Sequence, residues 1–295
     1  MGTGLGLGIG IPFRRMGGGT SFQGLLDLYP NAAAAYSLRK LRAAYSGAAV
    51  RIRRSSDNAE SDIGFLNNEF DSAAAQTFCG VGNGFITTWY DQSGNGLNAT
   101  QTTAASQPQI VLNGTAISFN SKFSPLYDGV NDFLNGGDIL DAGSNSYCSF
   151  SVVKSNTTDG SIYAKSLLGG NPSRYSLLLE SNSIISLLQP ISGSNQNIVS
   201  SPAYTTQKIF SIEYIANGLH KLYQNNTQIG SSITATTIGN STYDFEIGGY
   251  NDGFGNASNN LPFSGYIQEI VIYLSDQSAN RTAINTNINS YYGIY

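Results

Sequence analysis

Residues 85–96, Phe-Ile-Thr-Thr-Trp-Tyr-Asp-Gln-Ser-Gly-Asn-Gly, constrain the fold of this chain more than any other stretch. Phe85, Thr87 and Trp89 alternate with Ile86, Thr88 and Tyr90, and all six are β-branched or aromatic, so the run reads as a strand. It stops in Ser93-Gly94-Asn95-Gly96, where glycine supplies positive φ without a steric penalty. Trp89 is the sole tryptophan and sits where strand becomes loop. An indole beside Asp91, Gln92 and Asn95 suits a surface that stacks on a sugar ring and hydrogen-bonds its hydroxyls. The plain alternative is a core strand with an ordinary turn.

From Gln109 onward the pattern is strand after strand. Runs at 109–120, 148–154, 175–180, 183–189, 208–215, 219–224, 228–235, 243–248 and 264–274 are separated by turn signals such as Asn113-Gly114, Asp159-Gly160 and Asn225-Asn226. Short antiparallel strands without long crossover helices predict an all-β sandwich or jelly roll. Two helices are expected beside it. One runs from an Asn31 N-cap through Ala32 to Tyr45, burying Leu38, Leu41 and Tyr45. The other is capped by Ser275 or Asp276 and ends near Tyr291, with Ile284, Ile288 and Tyr291 inward.

Two parts are expected: an arm and hinge at 1–24, and one sandwich at 25–295. In the arm Leu5, Leu7, Ile9 and Ile11 alternate with glycine, so one face is apolar and the other is bare backbone. Such a segment gains order by adding to a partner's sheet edge, which predicts docking on other copies or other proteins and a homo-oligomer. Gly17-Gly18-Gly19 reads as its hinge.

Charged residues make up 12% of the chain, the net charge is −4, and glycine and tyrosine are abundant. This excludes disorder and gives no global field for nucleic acid. Arg39, Lys40, Arg42, Arg51, Arg53 and Arg54 do cluster, but forks to Asp57, Glu60, Asp62 or backbone carbonyls explain them better than a nucleic-acid patch. No apolar run is long enough for a membrane span, and no basic segment precedes an apolar one as a signal peptide requires. One histidine, His220, and two separated cysteines, Cys79 and Cys148, argue against zinc.

Several motifs carry a resemblance. Asp71-Ser72-Ala73-Ala74-Ala75-Gln76-Thr77-Phe78-Cys79, the Tyr90–Gly96 turn and Thr100-Gln101 follow the order and spacing of the catalytic domain of type B α-L-arabinofuranosidases. Ala44-Tyr45-Ser46-Gly47-Ala48 and Arg54-Ser55-Ser56-Asp57-Asn58 match as well, so residues 35–105 carry the resemblance. It implies a concanavalin A-like antiparallel β-sandwich and retaining glycosidase chemistry. The Tyr90–Gly96 block and Gly265-Tyr266-Ile267-Gln268-Glu269-Ile270 also resemble lectin-like domains of bacteriophage virion proteins. Asp128-Gly129-Val130-Asn131-Asp132-Phe133 resembles a corner of laminin-G and concanavalin-like lectins, which often carry calcium on Asp/Asn loops. Asp128/Asn131/Asp132 and Asn251/Asp252 are loops of that kind, without a spaced ligand run; no other cofactor is implied.

The arabinofuranosidase resemblance places Glu180 of Leu178-Leu179-Glu180-Ser181-Asn182 at the nucleophile, with Leu178 where the family has an acidic residue. The acid/base, an Asp after Ile-Gly-Gly, reads Tyr250 after Ile247-Gly248-Gly249, with Asp252 as a displaced substitute. A phenol titrates too high to protonate a leaving alkoxide near neutrality, so the dyad reads as damaged and the enzyme question leans to no. The family cysteine that pairs with the Cys79 position is Gly84 here, which implies assembly in a reducing compartment. The expectation is therefore a non-enzymatic virion surface or structural protein, made in a host cytoplasm, with a lectin-like domain for host glycans. Its glycan groove would combine Trp89, Tyr90, Asp91, Gln92 and Asn95 with the 180–182 turn and Tyr250, Asn251 and Asp252. The alternatives are an arabinofuranosidase-type glycoside hydrolase and a purely structural subunit-binding module.

Overall fold

The computed structural model describes residues 21–165, 174–190, 196–200, 206–250 and 261–295. Residues 1–20, with the apolar run of the expected docking arm and its Gly17–Gly19 hinge, lie outside the described residues, as do Asn251 and Asp252. The described chain is a two-layered antiparallel β-sandwich, as the strand pattern predicts.

One layer is centred on the Ser264–Tyr273 strand. It pairs with Ala34–Ser37, with Leu126–Asp128 and with Tyr147–Ser155. Tyr147–Ser155 continues the layer through Lys208–Tyr214, Leu219–Gln224 and Thr227–Thr234. The second layer runs Leu134–Gly137, Phe245–Ile247, Gly160–Lys165, Arg174–Glu180, Ser183–Gln189, Gln196–Ser200. The Gly84–Trp89 strand joins the two layers, since it reaches Leu134–Gly137 through the Ala99–Thr100 strand and Leu126–Asp128 through Gln109–Leu112.

Period-two alternation sorts the side chains. In Arg174–Glu180, Tyr175, Leu177 and Leu179 enter the main core between the layers. Leu178 instead joins Ala164, Ile185 and Tyr250 in a separate cluster on the outer face of the second layer. In Tyr147–Ser155, Cys148, Phe150 and Val152 face outward against Ile284, Ile288 and Tyr292. Those three residues belong to the C-terminal helix, Arg281–Tyr292, which starts later than expected. Charged contacts help to fasten this helix to the sheet. Arg281 pairs with buried Glu213, and Arg39, held by Glu269, stacks on Tyr291.

The helix expected over 32–45 does not form. Ala34–Ser37 is a fully buried strand instead, and Asn31, the supposed N-cap, has φ 66°. Alanine favours helix only weakly, and tertiary partners override it. On one side the segment pairs with Ser264–Tyr273. On the other the Asp91–Asn95 loop supplies the partners. Asp91 Oδ1 accepts from Ala35 N and Gln92 N donates to Ala35 O. Gln92 Oε1 accepts from Leu41 N, while its Nε2 donates to Ser37 O and Arg39 O. Asn95 Nδ2 donates to Ala32 O and Ala33 O. The longest described helix of this half of the chain is Ser72–Cys79, N-capped by Asp71, whose carboxylate accepts from Ala74 N.

The arginine forks form as expected. Arg51 grips Glu60 and Asp62, Arg54 grips Asp57, and Arg53 reaches Gln107, Asn58 and Ala104 O.

Candidate functional site

The expected stacking platform is absent from the surface. Trp89 is 0% exposed: it lies in the main core, paired with Val50 and packed on Tyr36 at a ring separation of 6.0 Å. Asp91 and Gln92 are buried too, and Asn95 is tied to 32–33, so these side chains hold the chain together and present nothing to a sugar. Tyr90 is half-buried and its hydroxyl donates to Asp62. His220 is 0% exposed, with Nε2 on Ser186 Oγ at 2.8 Å; burial lowers its pKa to about 3.

Glu180 behaves differently. It ends its strand exposed, beside a two-residue turn in which Ser181 and Asn182 have φ 49° and 65°. Both values are positive, as the tight hairpin turn that suits sheet twist requires. This hairpin docks on the turn at Thr158-Asp159. Ser181 N donates to Asp159 Oδ1 at 2.8 Å, and Thr158 Oγ1 donates to Asp159 Oδ2 at 2.8 Å. A second carboxylate thus sits against the residue after Glu180. Sequence reasoning missed it because Asp159-Gly160 reads as ordinary turn punctuation.

Asp159 also lines a cleft of about 540 Å³ with Thr158, Gly129, Leu261, Pro262 and Ser264. This volume falls within the usual range for small-molecule sites. Gly129 belongs to the expected lectin corner. There Asp128 Oδ1 accepts from Val130 N and Asn131 N, and Asp132 Oδ2 accepts from Asp128 N. These oxygens cap a turn, and among the described residues no group of three or more His, Cys, Asp or Glu is arranged for a metal. Burial, then the Asp128 carboxylate, pushes Asp132 up to about 7 against the opposing backbone hydrogen bond.

Leu178 and Tyr250, the residues at the two acidic positions that the resemblance implies, share the outer-face cluster. Tyr250 is 3% exposed. The structure therefore brings those two positions together and fills them with apolar packing. The grouping of the 89–96 loop with the 180–182 hairpin in one groove does not hold. The loop lines a different cleft with Ala32, Ala33 and Arg42, while the hairpin contacts 158–159.

The family model of the α-L-arabinofuranosidase B catalytic domain matches residues 27–122. No curated protein matches the sequence. Among solved structures, an α-L-arabinofuranosidase soaked with a cyclic sulfate inhibitor is similar over 90% of this chain and 65% of its own, with 17% identity and a TM-score of 0.62. An arabinofuranosidase complexed with arabinofuranosyl-α-1,2-xylobiose is similar over 90% of this chain and 64% of its own, with 18% identity and a TM-score of 0.60. The binding domain of Paraclostridial Mosquitocidal Protein 1 follows at 13% identity and a TM-score of 0.51, covering 83% of this chain and 52% of its own. The chain thus spans less than two thirds of the length of the arabinofuranosidases it matches. These findings overturn the expected virion lectin. The family match and the solved structures both point to the fold of arabinofuranosidase-type glycoside hydrolases, and the chain resembles their catalytic domain.

Proposed function

We propose that this chain is a glycoside hydrolase of arabinofuranosidase type, working where the Glu180 hairpin meets the Asp159 turn. One observation carries the reading. Glu180, exposed at the position that the resemblance gives the nucleophile, is followed by Ser181, whose amide holds a second carboxylate, that of Asp159. The family match over 27–122 and the shared fold support it.

In this reading Asp159 takes the role that Tyr250 cannot fill. Glu180 attacks the anomeric carbon of a furanoside as Asp159 protonates the departing glycosidic oxygen. Asp159 then deprotonates a water that hydrolyses the glycosyl ester and frees Glu180. The adjoining cleft, with hydroxyls at Thr158 and Ser264 and apolar walls at Leu261 and Pro262, receives the sugar.

The test is turnover of 4-nitrophenyl α-L-arabinofuranoside by the full chain. Glu180→Gln should abolish it. Asp159→Asn keeps an acceptor for Ser181 N and should cost roughly 10²–10⁴-fold on substrates with poor leaving groups, and less on the nitrophenyl ether. Absence of turnover, or turnover unchanged in folded Glu180→Gln, overturns the reading.

A further inference from the structure

We propose that the cleft beneath the Ser93–Asn95 loop binds the carboxylate of an acidic sugar, such as a uronic acid, through Arg42. This site shares no lining residue with the Glu180–Asp159 cleft and does not depend on the hydrolase reading.

The cleft holds about 480 Å³, room for a monosaccharide with its hydration. Arg42 lines it together with Asn31, Asn95, Leu26 and Pro30. Arg39, Arg51, Arg54 and Arg281 each face a carboxylate. Arg42 has no ion-pair partner among the described residues. Among the described residues its guanidinium makes one hydrogen bond, from Nη1 to Ser93 O at 2.8 Å, and its buried Nε has no partner. The guanidinium is positioned tightly: a Cβ at Gly94, where φ is +100°, would lie 2.8 Å from both Nη1 and Nη2. Glycine at 94 thus serves both the loop's backbone and the close approach of the fork.

A planar fork with donors left over matches a carboxylate. The described lining contains one cation and no acid, which suits a monoanion better than a phosphate dianion. Asn31 lies in the same lining and its amide suits hydroxyls, and Leu26 and Pro30 offer apolar surface for a ring's C–H face. A carboxylate, hydroxyls and a C–H face together describe a sugar acid, where a simple anion would use Arg42 alone.

The test is a chemical-shift titration of the full chain with glucuronate, against glucose and acetate. The expected result is saturation by glucuronate at millimolar concentration, with the shifts confined to Asn31, Arg42 and residues 93–95. Glucose and acetate should bind at least tenfold more weakly, and Arg42→Gln should weaken glucuronate at least tenfold. Arg42→Lys, which keeps charge and loses the fork, should fall between. Shift mapping on the unaltered chain decides the matter even if the variants fail to fold. No saturable shift at 93–95, equal binding of glucose or acetate, or undiminished binding in folded Arg42→Gln each overturns the proposal.

Discussion

A Cβ placed on Gly84 would lie 2.6 Å from Cys79 Sγ. Cys79 ends the Ser72–Cys79 helix and Gly84 opens the Gly84–Trp89 strand, so the two close a short loop. This is the pair that the resemblance singles out: in the arabinofuranosidases the residue at the Gly84 position is the half-cystine partner of the one at Cys79. The backbone of that bridge is present here without its second sulfur, and Cys79 is a free, buried thiol.

Gly84→Cys should therefore form an intramolecular disulfide with Cys79 under air oxidation. For so short a loop the gain is about 2 kcal/mol. Gly84→Ala should destabilise, because the new methyl also meets Ile52 Cγ2 at 3.0 Å and Val111 Cβ at 3.1 Å without bonding to anything. Thiol counting on the denatured chain, with melting before and after reduction, checks both. Persistence of the added thiol after oxidation would show that the loop is not poised for a bridge.

Trp89 should act as a reporter of the core. Trp89→Ala removes a fully buried indole beside Tyr36 and is expected to cost about 3–5 kcal/mol, enough to unfold a marginal domain. Trp89→Phe should fold at a smaller cost, since the buried Nε1 has no partner to lose among the described residues. Urea titrations of both variants, followed by far-ultraviolet circular dichroism, give the comparison. In the unaltered chain the indole fluorescence should shift to longer wavelength only at the main unfolding transition; a shift at lower urea would mean that this ring is solvated.

The strands after Gln109 were legible because alternation and turn chemistry are local: Asn225-Asn226 and Asn113-Gly114 take the positive φ values that their hairpins demand. The Ala32–Tyr45 segment was not legible, because what decides it is distant. Its strand partner is Ser264–Tyr273, and its other edge is satisfied by side chains from 91–95. No local propensity encodes either contact. The same clamp misdirected the reading of the candidate site. Asp, Gln and Asn beside a Trp suggest sugar recognition, and here each satisfies backbone groups of the protein itself. Glu180 was reachable through the resemblance. Asp159 was not, since a turn aspartate gains meaning only from the hairpin that docks on it.

The clamp predicts that Gln92→Ala is far costlier than a polar-to-alanine change at a turn. It strands Leu41 N, Ser37 O and Arg39 O inside the fold. Each buried group left unpaired costs about 1–3 kcal/mol. Gln92→Glu should also destabilise, because a carboxylate accepts from Leu41 N but donates to neither carbonyl. Asn98→Ala, which removes a single acceptor for Asp91 N, serves as the comparison and should be much milder. Equal midpoints for Gln92→Ala and Asn98→Ala in urea would remove the clamp from the argument.

The last prediction concerns acid. His220 sits neutral in the core with its pKa lowered to about 3 by burial, while an unfolded histidine titrates near 6.5. Between those values the unfolded chain binds the extra proton, so this group makes stability fall as pH falls, by up to about 1.4 kcal/mol per pH unit. Asp132 works in the opposite sense. Its carboxyl, buried beside Asp128 and Tyr127, titrates near 7 in the folded chain and near 3.8 when unfolded. From about pH 4 to 7 the folded chain holds the extra proton, so stability falls as pH rises. Over the shared window, roughly pH 4 to 6.5, the two slopes oppose each other. His220→Gln removes the first, so the difference in unfolding free energy between the unaltered chain and this variant should shift toward the variant as pH drops from 6.5 to 4.5. Asp132→Asn should produce the reverse trend. Urea unfolding at the two pH values measures both, and a pH-independent difference for His220→Gln would mean that His220 takes up its proton without leaving the folded state.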